Sequence, residues 1–312
     1  MTISTASLFQ KEFPKIQHGD SIVQLGSCFS ANMSYWFRRA GFQVLDNPLG
    51  IIFHPVPLAK QILLAFGKAE PGGILQKEDV HISYDASSSL YSMSEKGLNK
   101  LFSNQLELLK EALLNAKVLV VTLGSAHGYR LRESGNLVAN CHQQPPILFD
   151  KVLTSAEEMC VFWDLAINEL KKTNPGLQIV FTISPVRYIR DGLIANSSSK
   201  SELFRLVSIL KNHAVHYFPA YELVNDVLRD YRYFETDGVH PSDQATEFVW
   251  DFLKQELFSD QTNYLIDEIM KLRKMEEHRL LYPESQKAEE YLDKVKQKRE
   301  SFLSQYPVVV WC

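Results

Sequence analysis

Short uninterrupted apolar runs alternate along this chain with longer stretches in which apolar residues recur at helical spacing. Ser21 to Leu25 is the first such run and stops at Gly26; Met33, Trp36, Phe37 and Ala40 then mark one face of a helix. Ser30 can cap that helix and Gly41 can end it. Phe42 to Leu45 reads as a second strand, Asn47-Pro48-Leu49-Gly50 as a turn, and Leu58 to Phe66 as the next helix. Strand, helix and strand in this order begin a parallel sheet. The rhythm resumes with a long amphipathic helix from Leu98 to Ala116 and an unbroken apolar strand from Lys117 to Leu123, which belongs in a sheet covered on both faces. Ser155 to Lys172 (helix), Leu177 to Ile183 (strand), Ser199 to Asn212 (helix), Val215 to Phe218 (strand) and Thr246 to Leu257 (helix) complete the α/β alternation.

Two segments break this rhythm. Glu70 to Ser94, with Gly72-Gly73 and Ser87-Ser88-Ser89, predicts an inserted hairpin or loop, and Tyr129 to Asn140 predicts a second excursion around a Ser134-Gly135-Asn136 turn. Insertions are therefore expected near residues 70–94 and 129–150, where such segments often cover a site. From about Gln261 the composition shifts to mixed-charge helix, broken at Tyr282-Pro283. The expected organisation is one domain over residues 1–258 and a helical C-terminal extension over 259–312, packed on the domain or on a second copy of the chain as a homo-oligomer.

Composition narrows the function. With 45% apolar and 22% charged residues the chain of 312 reads as a soluble globular protein. A net charge of −4 gives no basic field, so nucleic acid and anionic membrane have no electrostatic support as partners. No stretch approaches the roughly eighteen apolar residues of a membrane helix, and Met1 to Asp20 lacks the apolar core of a secretory signal. Cys28, Cys141, Cys160 and Cys312 lie far apart without a CxxC spacing, which disfavours a disulfide framework or zinc knuckle and points to the cytoplasm.

In open parallel sheets ligands bind beyond the carboxyl ends of the strands. Four polar clusters fall there: Gly26 to Ser30, Asn47 to Gly50, Gly124 to His127 and Ser184 to Arg187. The N–H groups left free at a helix start favour a thiolate and can bind an oxyanion. Cys28, in the turn before the first helix, is thus a candidate nucleophile, and Ser27 competes because a one-residue shift of the turn would aim its hydroxyl instead. In Asp237-Gly238-Val239-His240-Pro241 the carboxylate can take the Nδ1 proton of His240 and leave Nε2 as a base. The plainer alternatives are a small buried Cys28 and an Asp237 that shapes a turn. Arg187 can hold a carboxylate or phosphate, or pair with Asp191. In Asn140-Cys141-His142, adjacent side chains in a strand point to opposite faces, which suggests His142 as a pocket residue and Cys141 as core. Cys28, His127, His142 and His240 share no metal-ligand spacing.

Gly26-Ser27-Cys28-Phe29-Ser30 resembles the signature of the GSCFA family, bacterial proteins placed in the SGNH (GDSL-like) hydrolase superfamily. The likeness extends over roughly residues 20 to 255 and takes in Asn47 to Gly50, Asn140 to His142, Ser184 to Arg187 and Asp237 to Pro241. It implies a three-layer, flavodoxin-like α/β SGNH-hydrolase fold with a central parallel sheet. Laying Gly-Asp-Ser on Gly26-Ser27-Cys28 puts Cys28 at the nucleophile position and Ser27 at that of the Asp, while Asp237 and His240 carry over unchanged. The oxyanion glycine has Gly50, or nearby Asn47, as counterpart. The block Gly-x-Asn-Asp meets Gly124-Ser125-Ala126-His127, so Ala126 replaces the oxyanion asparagine and Ser125, His127, Asn47 or Asn140 would have to substitute. The resemblance implies an esterase or acyltransferase acting on an ester-linked small molecule, glycan or lipid, with Arg187, His142, Asn140 and His127 around the substrate and no metal or organic cofactor. The competing expectation is a degenerate, non-catalytic module that binds a glycan or phosphorylated ligand.

Overall fold

The computed structural model describes residues 13–311; most of the Met1 to Asp20 reading and Cys312 lie outside them. Strand β1 (Ser21–Gly26) runs into helix α1 (Cys28–Arg39), which returns the chain to β2 (Gln43–Asp46) and α2 (Pro55–Ala65). The first insertion supplies β3 (Ile74–Lys77), β4 (Val80–Ser83) and β5 (Tyr91–Ser92), and α3 (Glu95–Asn115) leads back to β6 (Val118–Leu123). The second insertion supplies β7 (His127–Leu131), β8 (Leu137–Val138) and β9 (Phe149–Leu153). Then follow α4 (Ala156–Thr173), β10 (Gln178–Ile183), α5 (Leu193–Leu210), β11 (His216–Phe218), and α6 (Ala220–Glu222), which continues as a π-helical turn over Leu223–Leu228. Helices α7 (Asp243–Leu257), α8 (Asp260–Glu276) and α9 (Gln286–Gln305) end the chain.

Five strands form one parallel sheet in the order β2-β1-β6-β10-β11. Counted along the chain this is the flavodoxin order, with its switch point between β1 and β6. The uninterrupted apolar runs are explained by the period of two. Val23, Leu25, Leu119, Val121, Ile179 and Phe181 face the layer of α2, α3, α4 and α5, whereas Ile22, Val118, Val120 and Val180 face α1, α7 and α8. Both faces are covered, so most positions of the central strands are apolar; Gln24, Thr122 and Thr182 are the buried polar exceptions toward the middle and carboxyl ends. Trp163 of α4, fully buried against Phe181 at 4.8 Å between ring centroids, fills the larger layer.

Several boundaries differ from the sequence pattern. Helix α1 starts at Cys28 with Ser27 as its N-cap, because Ser27 is extended and its carbonyl already accepts from Ser30 N–H at 2.8 Å; Ser30 is inside the first turn. Helix α2 starts at Pro55, capped by the His54 ring, which accepts from Val56 N–H at 3.2 Å. Helix α5 starts at Leu193 rather than Ser199, immediately after Gly192 at φ +89°.

The insertions form two three-stranded antiparallel sheets, β3-β4-β5 and β8-β7-β9. They are fastened to each other. The buried His142 ring bonds Ser83 O at 2.8 Å and Ser88 Oγ at 2.9 Å, and Ala139 N–H donates to Tyr84 O at 2.8 Å. His142 therefore joins the insertions instead of lining a pocket, with its own backbone at φ +51° and its N–H held by Asn140 Oδ1 at 2.7 Å. The C-terminal extension packs on the domain: Ile266 joins the apolar cluster of α1, Arg273 donates to Arg39 O at 2.7 Å, and Val310 N–H donates to Gly41 O at 2.9 Å.

At the carboxyl end of β1 the sheet leaves no room for a side chain. A Cβ on Gly26, at φ +144°, would lie 2.3 Å from Thr122 O. Gly26→Ala should therefore cost about 3 kcal/mol in urea denaturation, from clash and backbone strain together. Gly135→Ala, also at positive φ but with open space around it, should cost only about 1 kcal/mol; equal losses would remove the close-approach argument.

Candidate active site

Beyond the carboxyl ends of β1, β6 and β10 lies a cavity of about 280 Å³. Ser27, Cys28, Gly124, Ser184, Arg187 and His240 line it, with Ile51, Phe53, Val186, Tyr188 and Val239 as an apolar wall. The β1–α1 turn is pressed onto β6 by Ser27 N–H donating to Thr122 O at 3.2 Å. This buries Ser27, whose Oγ has no partner, and leaves Cys28 exposed. Of the two candidate nucleophiles, the thiol is the accessible one.

His240 approaches from the loop between the β11 region and α7. Its Nδ1 lies 2.7 Å from Asp237 Oδ2, while Asp237 Oδ1 accepts from Val239 N–H at 2.8 Å and His240 N–H at 3.0 Å. These three bonds hold the Asp237 carboxyl down at about 2, the imidazole bond contributing most. In the neutral tautomer that donates from Nδ1, Nε2 is the nitrogen able to accept a proton. The loop is itself fixed: Glu235 N–H donates to His240 O at 2.7 Å, and Arg187 N–H donates to Val239 O at 3.2 Å. Among the described residues no hydrogen bond joins Cys28 Sγ or Ser27 Oγ to His240.

The expected oxyanion and pocket residues divide sharply. Gly50 does not line the cavity; its N–H closes a turn onto Asn47 O at 2.7 Å, and a Cβ there, at φ +78°, would strike Ser87 Oγ. Its glycine character serves packing. Ser125 lines the cavity, but its Oγ accepts from His127 N–H at 3.0 Å and bonds Ser199 Oγ at 3.1 Å, while Ser199 Oγ also accepts from Ala126 N–H at 2.8 Å. His127 is turned to Ala195 O at 3.3 Å and, like His142 and Asn140, does not line the cavity. Asn47 does not line the cavity either: its Oδ1 accepts from Gly26 N–H at 2.8 Å, and its Nδ2 is buried with no partner among the described residues. Arg187 lines the cavity and does not pair with Asp191, which is engaged by Lys151. Neither insertion contributes a side chain to the cavity wall.

Sequence reasoning missed Lys200. This α5 side chain is 3% exposed, and its ammonium donates to Gly124 O at 2.8 Å and Ser184 O at 2.7 Å, tying the ends of β6 and β10 together beneath the cavity. A lysine in a helix ordinarily reads as a solvated face, so the sequence carried no signal for it. The apolar wall was equally unmarked, although Tyr188 directly follows Arg187.

A parallel sheet in flavodoxin order, with an exposed thiol and an Asp–His pair at one cavity beyond its carboxyl edge, defines an α/β protein whose candidate site lies at the usual ligand position for this topology. The sequence matches the model of the GSCFA family over residues 21–252, and the chain belongs to that family. Among solved structures it is similar to one from Parabacteroides merdae labelled a GDSL-like lipase, at 11% identity and a TM-score of 0.41, covering 78% of this chain and 98% of that one. It is also similar to a carbohydrate esterase of family 3 from Talaromyces cellulolyticus, at 10% identity and a TM-score of 0.30, covering 80% and 99%. No curated protein matches the chain by sequence.

Two outcomes test this geometry. Cys28 is exposed, whereas Cys160 is buried and its thiol is pushed up to about 11 by burial and then by Asp164. Iodoacetamide at pH 7 should therefore modify Cys28 before Cys141 and Cys160, read by mass spectrometry; slower modification of Cys28 would contradict its placement. Burial pulls Lys200 from 10.5 to about 7. Between those values the unfolded chain binds more protons than the folded one, so this group makes stability rise with pH from about 7 to about 10. Wild type should gain on Lys200→Met over that interval in urea denaturation, and parallel pH profiles would show that the ammonium does not titrate there.

Proposed function

We propose that this protein is an acyl-transfer enzyme of SGNH type, an esterase or acyltransferase acting on an ester-linked small molecule, glycan or lipid, with Cys28 in place of the usual serine. The observation that carries this reading is the shared cavity of an exposed thiol at a helix start and an imidazole whose Nδ1 is bound to a carboxylate. A group that only bound ligand would need no oriented imidazole.

In this reading His240 Nε2 accepts the Cys28 proton, and Sγ attacks the ester carbonyl carbon to give a tetrahedral oxyanion. The Cys28 N–H, at the first position of α1 where no intrahelical acceptor is available, is one donor to it. Asn47 Nδ2, unpartnered but buried outside the cavity lining, would replace the asparagine lost at Ala126 only after a shift of the turn exposes it. Removing such a donor typically costs two to three powers of ten. Collapse expels the alcohol, which takes the proton from His240 and leaves a thioester on Cys28. Water or an acceptor hydroxyl, deprotonated by His240, then takes the acyl group. Asp237 keeps the ring in the required tautomer.

One observation favours the rival, non-catalytic module: no hydrogen bond links Cys28 or Ser27 to His240 in the free protein. Catalytic hydrogen bonds often form only once substrate is bound, so the two readings part at turnover. On 4-nitrophenyl acetate and butyrate, Cys28→Ala and His240→Ala should each lower kcat/KM by about three powers of ten. Asp237→Asn should lower it by about two to four, while Ser27→Ala should retain turnover. Undiminished hydrolysis in both Cys28→Ala and His240→Ala would leave the binding module as the better account.

A further inference from the structure

Arg187 stands at the cavity without a counter-charge. Among the described residues its side chain forms no ion pair and no hydrogen bond; its guanidinium carbon instead lies 4.2 Å from the ring centre of Phe234 and 4.9 Å from that of Tyr231. Several acidic side chains of the neighbouring segments have partners of their own. Asp191 is engaged by Lys151, Glu222 accepts from Tyr217 Oη at 2.7 Å, Asp230 lies 3.6 Å from Arg232, and Asp237 is bound to His240. Stacking fixes a guanidinium through its face, and its N–H groups lie in its plane, where they suit the paired oxygens of a carboxylate or phosphate. The Arg187 backbone is bonded to Val239, next to His240, so this charge is held in register with the imidazole. The same cavity has an apolar wall of Ile51, Phe53, Val186, Val239 and the ring of Tyr188.

We propose that Arg187 is an anion subsite of this cavity, and that the substrate is an ester carrying a carboxylate or phosphate beside an apolar segment. The anion binds the in-plane N–H groups of Arg187, the apolar segment lies against Ile51, Phe53 and Val186, and the ester carbonyl meets Cys28. The ester part of this assignment rests on the acyl-transfer reading, whereas the anion part does not.

The test separates the two. Calorimetry on the full chain carrying Cys28→Ala uses monomethyl glutarate, inorganic phosphate and the neutral dimethyl glutarate as probes. At least one of the anions should bind about tenfold tighter than the neutral ester, and which of them binds better distinguishes a carboxylate from a phosphate substrate. Adding Arg187→Met should abolish that preference, and adding Arg187→Lys, which keeps the charge but loses the flat fork, should diminish it. A neutral ester bound as well as both anions, or a preference that survives Arg187→Met in a protein with wild-type circular dichroism, overturns the subsite. Turnover is read separately on the wild type with mono-4-nitrophenyl glutarate and 4-nitrophenyl valerate. The ratio of their kcat/KM should favour the glutarate and fall in Arg187→Lys, and a ratio unmoved by that change also counts against the subsite. Failure to turn over either ester while the calorimetric preference stands would remove the acyl-transfer reading and leave the anion subsite in place.

Discussion

The arrangement of this protein depends on how closely backbone meets backbone where β1 and β6 end. Gly26 lies against Thr122, and Gly124 against Phe53 and Ser27, with no space for a Cβ at either position. Because the strands close to this distance, the β1–α1 turn lies flat on the sheet and its residues are sorted by depth. Ser27 goes under and Cys28 comes out. The same closeness lets Ile52 N–H reach Gly26 O at 3.2 Å and Gly124 N–H reach Phe53 O at 2.8 Å, which fixes the apolar wall at its distance from the thiol. A side chain at either glycine would disturb the turn, the wall and the sheet edge together.

Much of the fold was legible because its signals are local. Unbroken, short, valine-rich apolar runs such as Val118 to Val121 favour central strands, and helical spacing such as Met33, Trp36 and Phe37 needs no tertiary knowledge. The starts of α1, α2 and α5 were placed late because their determinants are a backbone angle at Ser27, a histidine cap at His54 and a left-handed glycine at Gly192, none of which a periodicity reports. At the site, the late Asp–His unit was readable because three residues suffice to build it. The oxyanion and pocket residues were not, since their roles depend on which donors remain free after folding. Gly50, Ser125 and His127 are all of suitable type and near in sequence, yet each is already engaged by its surroundings. Lys200 shows the converse case, a charged residue that becomes structural only because two carbonyls converge on it.

The cavity thus gathers groups with different degrees of commitment. Asp237 is saturated by three bonds, and Lys200 is spent on two carbonyls. Cys28 Sγ, the guanidinium of Arg187 and His240 Nε2 belong to cavity residues and are not consumed by the fold, while Ser27 Oγ and Asn47 Nδ2 are buried with no partner among the described residues. Because these cavity groups are not engaged by the scaffold, nothing needs to be broken before they meet a ligand.

The two insertions, fastened through His142 to Ser83 and Ser88, have a consequence for how this sequence can vary. Each is a surface excursion of the kind that normally tolerates lengthening or trimming on its own. Here a residue gained or lost in Asn140 to Gln143 would displace the imidazole from its two partners in the other excursion, more than fifty positions away along the chain. A length change at Asn140 to Gln143 is therefore constrained by a segment distant in sequence as well as by its own loop.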